Sequence, residues 1–357
     1  MDREDIAGTD ERRGSARPFQ PAWWCPGPHL QTAWGRLVRR LPDVPVFRVR
    51  WTAPDGDFLD LDFVDGPIGA PTLLVLHGLE GSSESKYVRG LLHRARRRGW
   101  RGAALNFRSC GGELNRAPRL YHSGETDDVG WVIERLLKRD PGSPLLPVGV
   151  SLGANVLLKW LGEVGERAPE EIRAAVAIST PFDLAAGADK LSRGLGRLYT
   201  RFFLRTLRRT ALAKARQYPG LLESEAIRKA RTWRQYDDAV TAPLHGFENA
   251  EEYWALSSSG TYLRSVRRPT LLINARNDPF LPADALPESA VAESPWLHAE
   301  FTSGGGHAGF VAGSWPWKVR YWAEERAIGF LADHAPSLRP ARDDRRTSRL
   351  PARESAD

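Results

Sequence analysis

The sequence is poor in cysteine and has no long apolar run. Its two cysteines, Cys25 and Cys110, lie far apart and outside any metal-type spacing. That argues against a disulfide framework and gives no basis for a zinc site, and a reducing compartment fits. No apolar stretch approaches the roughly 18 residues that a membrane span requires. Residues Met1 to Arg17 are polar, of mixed charge, and lack the apolar core of a signal peptide. The expectation is a disordered tail on a cytoplasmic protein. The glycine-rich loops lack both the P-loop lysine pattern and G-x-G-x-x-G, so no nucleotide cofactor is expected. Nor do the histidines and acidic residues show ligand spacing, so no metal is expected either.

What is present suits a folded α/β protein. The chain has 357 residues, 41% of them apolar and 27% charged, enough for one large domain with an insertion. Its net charge of +7 is unevenly spread. Between Gly187 and Gln235 there are 13 Lys/Arg against 3 Asp/Glu, an excess larger than that of the whole chain.

After the tail, Pro18 to Trp34 contains three tryptophans and four prolines. It is too aromatic for a free tail and reads as an arm packed on the main domain beside the site entrance. His29 within it is expected to hold structure by hydrogen bonding. Val44 to Trp51 and Leu59 to Val64 alternate as half-buried strands, joined by the turn Pro54-Asp55-Gly56-Asp57. Thr72 to Leu76 is continuously apolar, as buried parallel strands are. Further strands are expected at Gly102 to Phe107, Leu145 to Val150, Ala174 to Ser179, Pro269 to Ala275 and His298 to Phe301. Helices are expected at Lys86 to Arg98, Asp127 to Lys138, Ala154 to Gly162 and Trp317 to Leu331. Such alternation predicts a mostly parallel sheet covered on both faces, with an antiparallel hairpin at its edge. The main domain should span residues 18–335, followed by a Pro/Arg/Asp-rich disordered tail at 336–357.

The alternation stops over residues 182–265, which read as an inserted helical lid. One helix there carries Leu195, Leu198, Tyr199, Phe202, Phe203 and Leu207 on an apolar face that should turn inward. Arg197, Arg201, Arg205, Arg208 and Arg209 form the other face. A solvated face is the simpler reading, and peripheral contact with anionic lipid is the alternative. A nucleic-acid partner is not expected, since the basic residues are confined to this segment and no nucleic-acid motif accompanies them.

Chemistry enters at Gly149-Val150-Ser151-Leu152-Gly153, a G-x-S-x-G pentapeptide with an apolar strand before it and an apolar helix after it. This is the context of a nucleophile elbow, which pushes a serine out above a sheet. A serine hydroxyl requires a base, and the base an acid that fixes its tautomer. In chain order these should follow as Asp, then His, each in a loop after a strand. Asp278, in Ala275 to Phe280, and His307, in Thr302 to Phe310, meet that order. Asp237, Asp238 and His245 lie in the insertion, and His298 lies at the opposite end of its strand. The oxyanion donors should be the backbone N–H groups of Leu152 and Leu79, the latter in the loop His77-Gly78-Leu79. His77 itself reads as a scaffold for that loop.

Four further stretches carry a family resemblance: Pro28-His29-Leu30-Gln31-Thr32, His77-Gly78-Leu79-Glu80-Gly81-Ser82, Asn106 to Asn115, and Tyr121 to Asp128. With the elbow, Asp278-Pro279-Phe280 and Gly305 to Phe310, they cover about Pro18 to Leu331. On these motifs the chain resembles the YheT-like branch of the α/β-hydrolases, the AB-hydrolase-4 family. The resemblance implies the α/β-hydrolase fold and a serine carboxylesterase with Ser151, Asp278 and His307 as its relay. Relatives act on short-chain esters, monoacylglycerols or phospholipids, so it leaves the substrate open. His122 to Asp127 also fits H-x4-D, a pattern associated with acyltransferases. The alternative for that stretch is a helix start with acidic residues in its first turn. A fold used only for binding would be expected to have lost a member of the triad.

Overall fold

The computed structural model describes residues 18–335. The two tails expected to be disordered lie outside the described residues. Eight strands form one sheet: β1 (Phe47–Thr52), β2 (Phe58–Val64), β3 (Thr72–Leu76), β4 (Arg101–Asn106), β5 (Leu145–Val150), β6 (Ala175–Ile178), β7 (Thr270–Ala275) and β8 (Leu297–Thr302). Their spatial order is β1-β2-β4-β3-β5-β6-β7-β8. The first two ladders are antiparallel and the remaining five are parallel.

The expected alternation in β2 gives way to burial at all seven positions. Its two aspartates are covered by arginines directly opposite on β1. Arg48 faces Asp62 and Arg50 faces Asp60, each making a two-pronged ion pair. Cross-strand pairs of opposite charge stabilise an edge in this way while covering it.

Helices α1 (Gly27–Leu37), α2 (Lys86–Arg97), α3 (Thr126–Arg139) and α4 (Leu152–Val164) precede the insertion. The sheet has a core on each face. On one, α3 and α4 bring Val129, Val132, Val156 and Leu157 against Leu74, Leu76 and Leu105. On the other, α2 and the C-terminal helix Trp322–His334 bring Leu91, Leu92, Ile328 and Leu331 against Leu73, Val75 and Val148. The C-terminal helix starts five residues later than expected. Residues 311–321 instead close a short antiparallel hairpin, Val311–Ala312 with Arg320–Tyr321. Gly313 at φ +114° and Pro316 suit this turn and not a helix.

The arm is partly helical, because Pro28 falls at its first turn, where the missing N–H costs nothing. Gln31, buried in α1, donates to the carbonyls of Cys25 and Val311 and accepts from the Val311 N–H. This fastens the arm to the hairpin.

Between β6 and β7 the described chain forms only helices and turns. The two first helices are α5 (Leu184–Leu191) and α6 (Gly196–Gln217). Here the structure corrects part of the expected orientation: Phe203 and Leu207 face inward as expected, but three other residues of that face do not. The buried stripe of α6 is Thr200, Leu204, Leu207, Ala211 and Lys214, while Leu195, Leu198 and Phe202 are exposed. Small residues allow α6 to pack closely, and the apolar periodicity could not distinguish the two adjacent faces. Arg208 also turns back, donating to the carbonyls of Leu204 and Ala230.

A buried polar knot joins this insertion to the sheet. Arg108 pairs with Asp57 and, through two nitrogens, with Asp128. Asn115 donates to the same Asp57 oxygen, and Lys214 of α6 donates to the carbonyls of Asn115 and Ala117. Burial alone would raise the Asp57 carboxyl. Hydrogen bonds from Asn115 and from the N–H groups of Arg116, Phe58 and Ala117 outweigh it and hold the group down at about 2. A depressed carboxyl stabilises the fold above its unfolded value of about 3.9 and loses that contribution as pH falls toward 2. Asp57→Asn should therefore lower stability at pH 7 by on the order of 3 kcal/mol. Its denaturant midpoint should also fall less steeply than that of the wild type between about pH 4 and pH 2, as measured by circular dichroism.

Candidate active site

Strand β5 ends at Val150 and helix α4 begins at Leu152, so a single residue turns the chain. Ser151 sits at φ 54°, ψ −119°, a conformation that costs a non-glycine residue about 1–3 kcal/mol. The flanking glycines are required by close approach. A Cβ on Gly149 would lie 2.5 Å from the Ala154 Cα, and one on Gly153 would lie 2.4 Å from the Leu76 carbonyl oxygen. The Ser151 N–H donates to Ile178 O at 2.8 Å, and its carbonyl accepts from Ala154 and Asn155.

Beside the serine, the structure brings together the two residues expected from chain order. His307 Nε2 lies 2.8 Å from Ser151 Oγ, and His307 Nδ1 lies 2.8 Å from Asp278 Oδ2. Asp278 is fully buried and its other oxygen accepts from the Phe280 N–H at 2.7 Å. The Phe280 ring lies nearly parallel to the imidazole, with centroids 4.3 Å apart. Three backbone N–H groups of the histidine loop are held by side chains: Gly306 by Asn277, His307 by Thr32 and Ala308 by Ser179. Lys190 of α5 donates to the carbonyls of Asp278 and Leu281, tying the insertion to the acid loop.

The loop after β3 approaches from the other side. His77 Nδ1–H donates to Gly78 O, and its Nε2 accepts from the Phe107 N–H. Burial pushes its imidazole down to about 4, so it stays neutral and supports the loop. Gly78 N–H donates to Tyr87 Oη, and Glu80 N–H to Tyr121 Oη. Between them, the Leu79 N–H meets no acceptor among the described residues, and neither does Leu152 N–H at the start of α4.

The rival acids and bases are engaged elsewhere. Asp237 is buried, accepts from Thr241 and Trp254, and is pushed up to about 7 by burial. Asp238 accepts from the Ala250 N–H. His298 packs on Phe330 of the C-terminal helix. His29, as expected, has a structural bond, 3.0 Å from Tyr199 Oη.

A cavity opens over Ser151 and His307, walled by Leu184, Leu191, Phe203, Leu207, Val240 and Leu281. Its polar end holds His122 and His245, whose ring centroids are 4.2 Å apart. These two and Glu125 each offer a ligand atom, all within 4.8 Å of one another. Sequence spacing carries no sign of this cluster, because His245 comes from the insertion. Its hydrogen bonding does not suit a cation. Arg119 already neutralises Glu125, and His122 Nδ1 accepts from the Gly124 N–H, which leaves the proton on the nitrogen facing Glu125. Burial holds both imidazoles well below their usual range. Asp127, the other member of H-x4-D, is exposed in the first turn of α3, away from this cavity.

Residues 71–313 match the alpha/beta hydrolase fold family. A protein of Escherichia coli (strain K12) named for esterase activity, YheT, is 37% identical over 335 residues, covering 92% of this chain and 97% of its own. The chain belongs to the YheT-like branch of the α/β-hydrolases. Phospholipase ABHD3 of Mus musculus is 30% identical, covering 85% of this chain and 75% of that one. The monoacylglycerol lipase of Saccharomyces cerevisiae is 32% identical, covering 80% of this chain and 63% of its own. Among solved structures, the Pyrococcus furiosus esterase Pf2001 shares the fold at 17% identity, with a TM-score of 0.53, 84% of this chain and 97% of that one being covered. The chain is thus a hydrolase of the esterase and lipase type. Among its described residues, no helix is long and apolar enough to cross a membrane.

Thr32, Ser179, Asn277 and Lys190 were not expected as site residues, although Thr32 and Asn277 stood in stretches singled out for other residues. Thr32→Val keeps the shape but leaves the His307 N–H without its acceptor, a loss of about 1–3 kcal/mol in holding the loop. Turnover of a soluble ester should fall about tenfold while the melting temperature changes little.

Proposed function

We propose that this α/β-hydrolase is a serine carboxylic ester hydrolase that works through an acyl-enzyme. The observation that carries the proposal is the continuous line from Ser151 Oγ through His307 to buried Asp278, opening on a cavity with apolar walls. In the first half-reaction His307 Nε2 takes the proton of Ser151 Oγ as that oxygen bonds to the ester carbonyl carbon. Asp278 holds the Nδ1–H tautomer and balances the imidazolium that forms. The carbonyl oxygen becomes negative, and the N–H groups of Leu79 and Leu152 are the donors assigned to it. His307 then passes its proton to the departing alkoxide. In the second half a water gives a proton to His307 Nε2 and attacks the acyl carbon, and Ser151 leaves with the proton returned. No cofactor enters these steps.

The walls favour a substrate with an aliphatic acyl chain: Leu191, Phe203, Leu207 and Val240 offer it only carbon, at about 0.8 kcal/mol per buried methylene. Helices α5 and α6 supply much of that wall, which is the role of a lid in residues 182–265. Short-chain and acylglycerol esters both satisfy this description, and a partner other than the small ester is not required for the chemistry. Acyl transfer through His122 and Asp127 finds no support in their positions.

A fluorophosphonate probe should label Ser151, and Ser151→Ala should abolish labelling and lower kcat by roughly 10⁵–10⁶-fold. Asp278→Asn should fold normally and lower kcat by about 10⁴-fold, whereas Asp237→Asn should leave the chemical step intact. Persistent labelling of Ser151→Ala would place the nucleophile elsewhere. Within a series of p-nitrophenyl esters, Phe203→Ala should move the preferred acyl chain toward greater length.

A further inference from the structure

Among the described residues thirteen large hydrophobic side chains are exposed, and ten of them fall in three segments that touch one another. These are the arm around α1, the first two turns of α6 with the residue before them, and the hairpin loop at 313–319. The arm meets the loop through Trp23, which donates to Ser314 O and packs edge-on against Trp315, itself stacked with Trp317. It meets α6 through His29 on Tyr199 and through Arg36, whose guanidinium sits 4.5 Å from the Phe202 ring centroid. The exposure is substantial: 67% for Trp23, 75% for Trp317 and 63% for Leu198. On α6, Leu195, Leu198 and Phe202 recur at helical spacing on an outward stripe, not in the core. Arg197, Arg201 and Arg205 flank it, exposed and without a carboxylate partner among the described residues.

We infer that this rim docks the enzyme on an anionic lipid–water interface. Aliphatic and phenyl groups gain by entering the acyl boundary, tryptophans suit the headgroup level, and arginines meet the negative surface. A second copy is disfavoured as the occupant, because an isologous contact would set the same arginines against one another. The site also lies beside this rim. Tyr199 packs against Phe280, which stacks on His307, and Thr32 of α1 holds the His307 N–H. Ester substrate dissolved in the interface would therefore reach the cavity from the docked face, a purpose that rests on the proposed hydrolysis.

The test separates binding from chemistry. Full-length Ser151→Ala protein is floated with vesicles of phosphatidylcholine containing about 30 mol% phosphatidylserine, and with phosphatidylcholine alone. It should float with the anionic vesicles and be released by salt. Adding Arg197→Glu, Arg201→Glu and Arg205→Glu should weaken partitioning on the order of a hundredfold, about fivefold for each charge lost. Adding Leu198→Ser and Trp317→Ser instead should abolish flotation even at low salt. In the Ser151 background both sets should keep wild-type turnover of a soluble short-chain ester, which shows that they fold. If a set fails that control, the other carries the comparison. Wild-type-like flotation of the folded variants would overturn the inference, as would failure of the parent protein to float. So would a dimer, seen by sedimentation, that Leu198→Ser and Trp317→Ser dissociates. Flotation without ester turnover in the wild type would instead count against the hydrolase reading and leave the docking face standing.

Discussion

Everything at the site depends on one backbone turn that its own residue disfavours. Ser151 occupies a positive φ that a β-carbon resists, and the surrounding structure must hold it there. The hold comes from two directions. Strand β6 accepts the Ser151 N–H, and the first turn of α4 caps the Ser151 carbonyl. Both depend on close approach: without side chains at 149 and 153, α4 can lie against β5 and the end of β3. The sheet register therefore reaches directly into the position of one oxygen atom. A stiff, doubly covered parallel sheet is a suitable support, since its strands are buried from end to end and have no space in which to relax.

The second constraint is that His307 hangs on a loop with little regular structure of its own. Order is imposed from outside, by Thr32 of the arm, Asn277 of the acid loop and Ser179 after β6. Three segments distant in sequence thus fix three consecutive N–H groups. The insertion takes part as well, since Lys190 donates to the carbonyl of Asp278 itself. A shift of α5 would be felt at the acid, not only at the cavity wall. Helix α6 is anchored at its far end by Lys214 in the Arg108–Asp57 knot, where losing a carbonyl partner would strand a buried ammonium. Its N-terminal turns are tied by buried Thr200, which donates to Leu191 O and accepts from Trp233 Nε1, and by Tyr199 against His29.

The sheet was legible because buried parallel strands announce themselves: Thr72–Leu76 and Leu145–Val150 fall where their apolar runs place them. Ser151, Asp278 and His307 were legible because each follows a strand, and the structure brings the three side chains within hydrogen-bond reach. What could not be read depended on tertiary partners. Nothing local to Thr32 marks it as the acceptor for a residue 275 positions away. The His122–His245 contact joins the core to the insertion, so sequence spacing carried no trace of it. Asp60 and Asp62 looked like the wet face of β2, yet arginines on β1 cover them. Helix α6 was recognised as a helix, and Tyr199, Phe203 and Leu207 of its expected inner face do turn toward the site, but Leu195, Leu198 and Phe202 do not. Leu198 and Phe202 are as apolar as Leu204 and Leu207, and only the partner surface decides between the two stripes.

That same ambiguity says something about how the rim came to be apolar. A surface helix ordinarily buries its most hydrophobic stripe, since each leucine or phenylalanine withdrawn from water contributes about 1.5–3 kcal/mol. Helix α6 instead buries Thr200 and Ala211 along with its leucines and leaves a phenylalanine and two leucines at or beside its start in water. The knot at Lys214 fixes the helix's rotation from its far end, so the stripe cannot roll inward without breaking buried hydrogen bonds. Helix α1 is fixed in a similar way: Gln31 is locked into the hairpin on one side, and Thr32 into the histidine loop next to it. Both helices are thus held in orientations set by polar contacts, with their exposed apolar groups as the consequence. Because α1 carries both Thr32 and the Arg36 that lies over Phe202, the rim and the imidazole share one rigid element. A ligand gripping the rim would differ in its effect from one merely tethering the protein nearby, since only the first bears on α1 and so on the loop that holds His307.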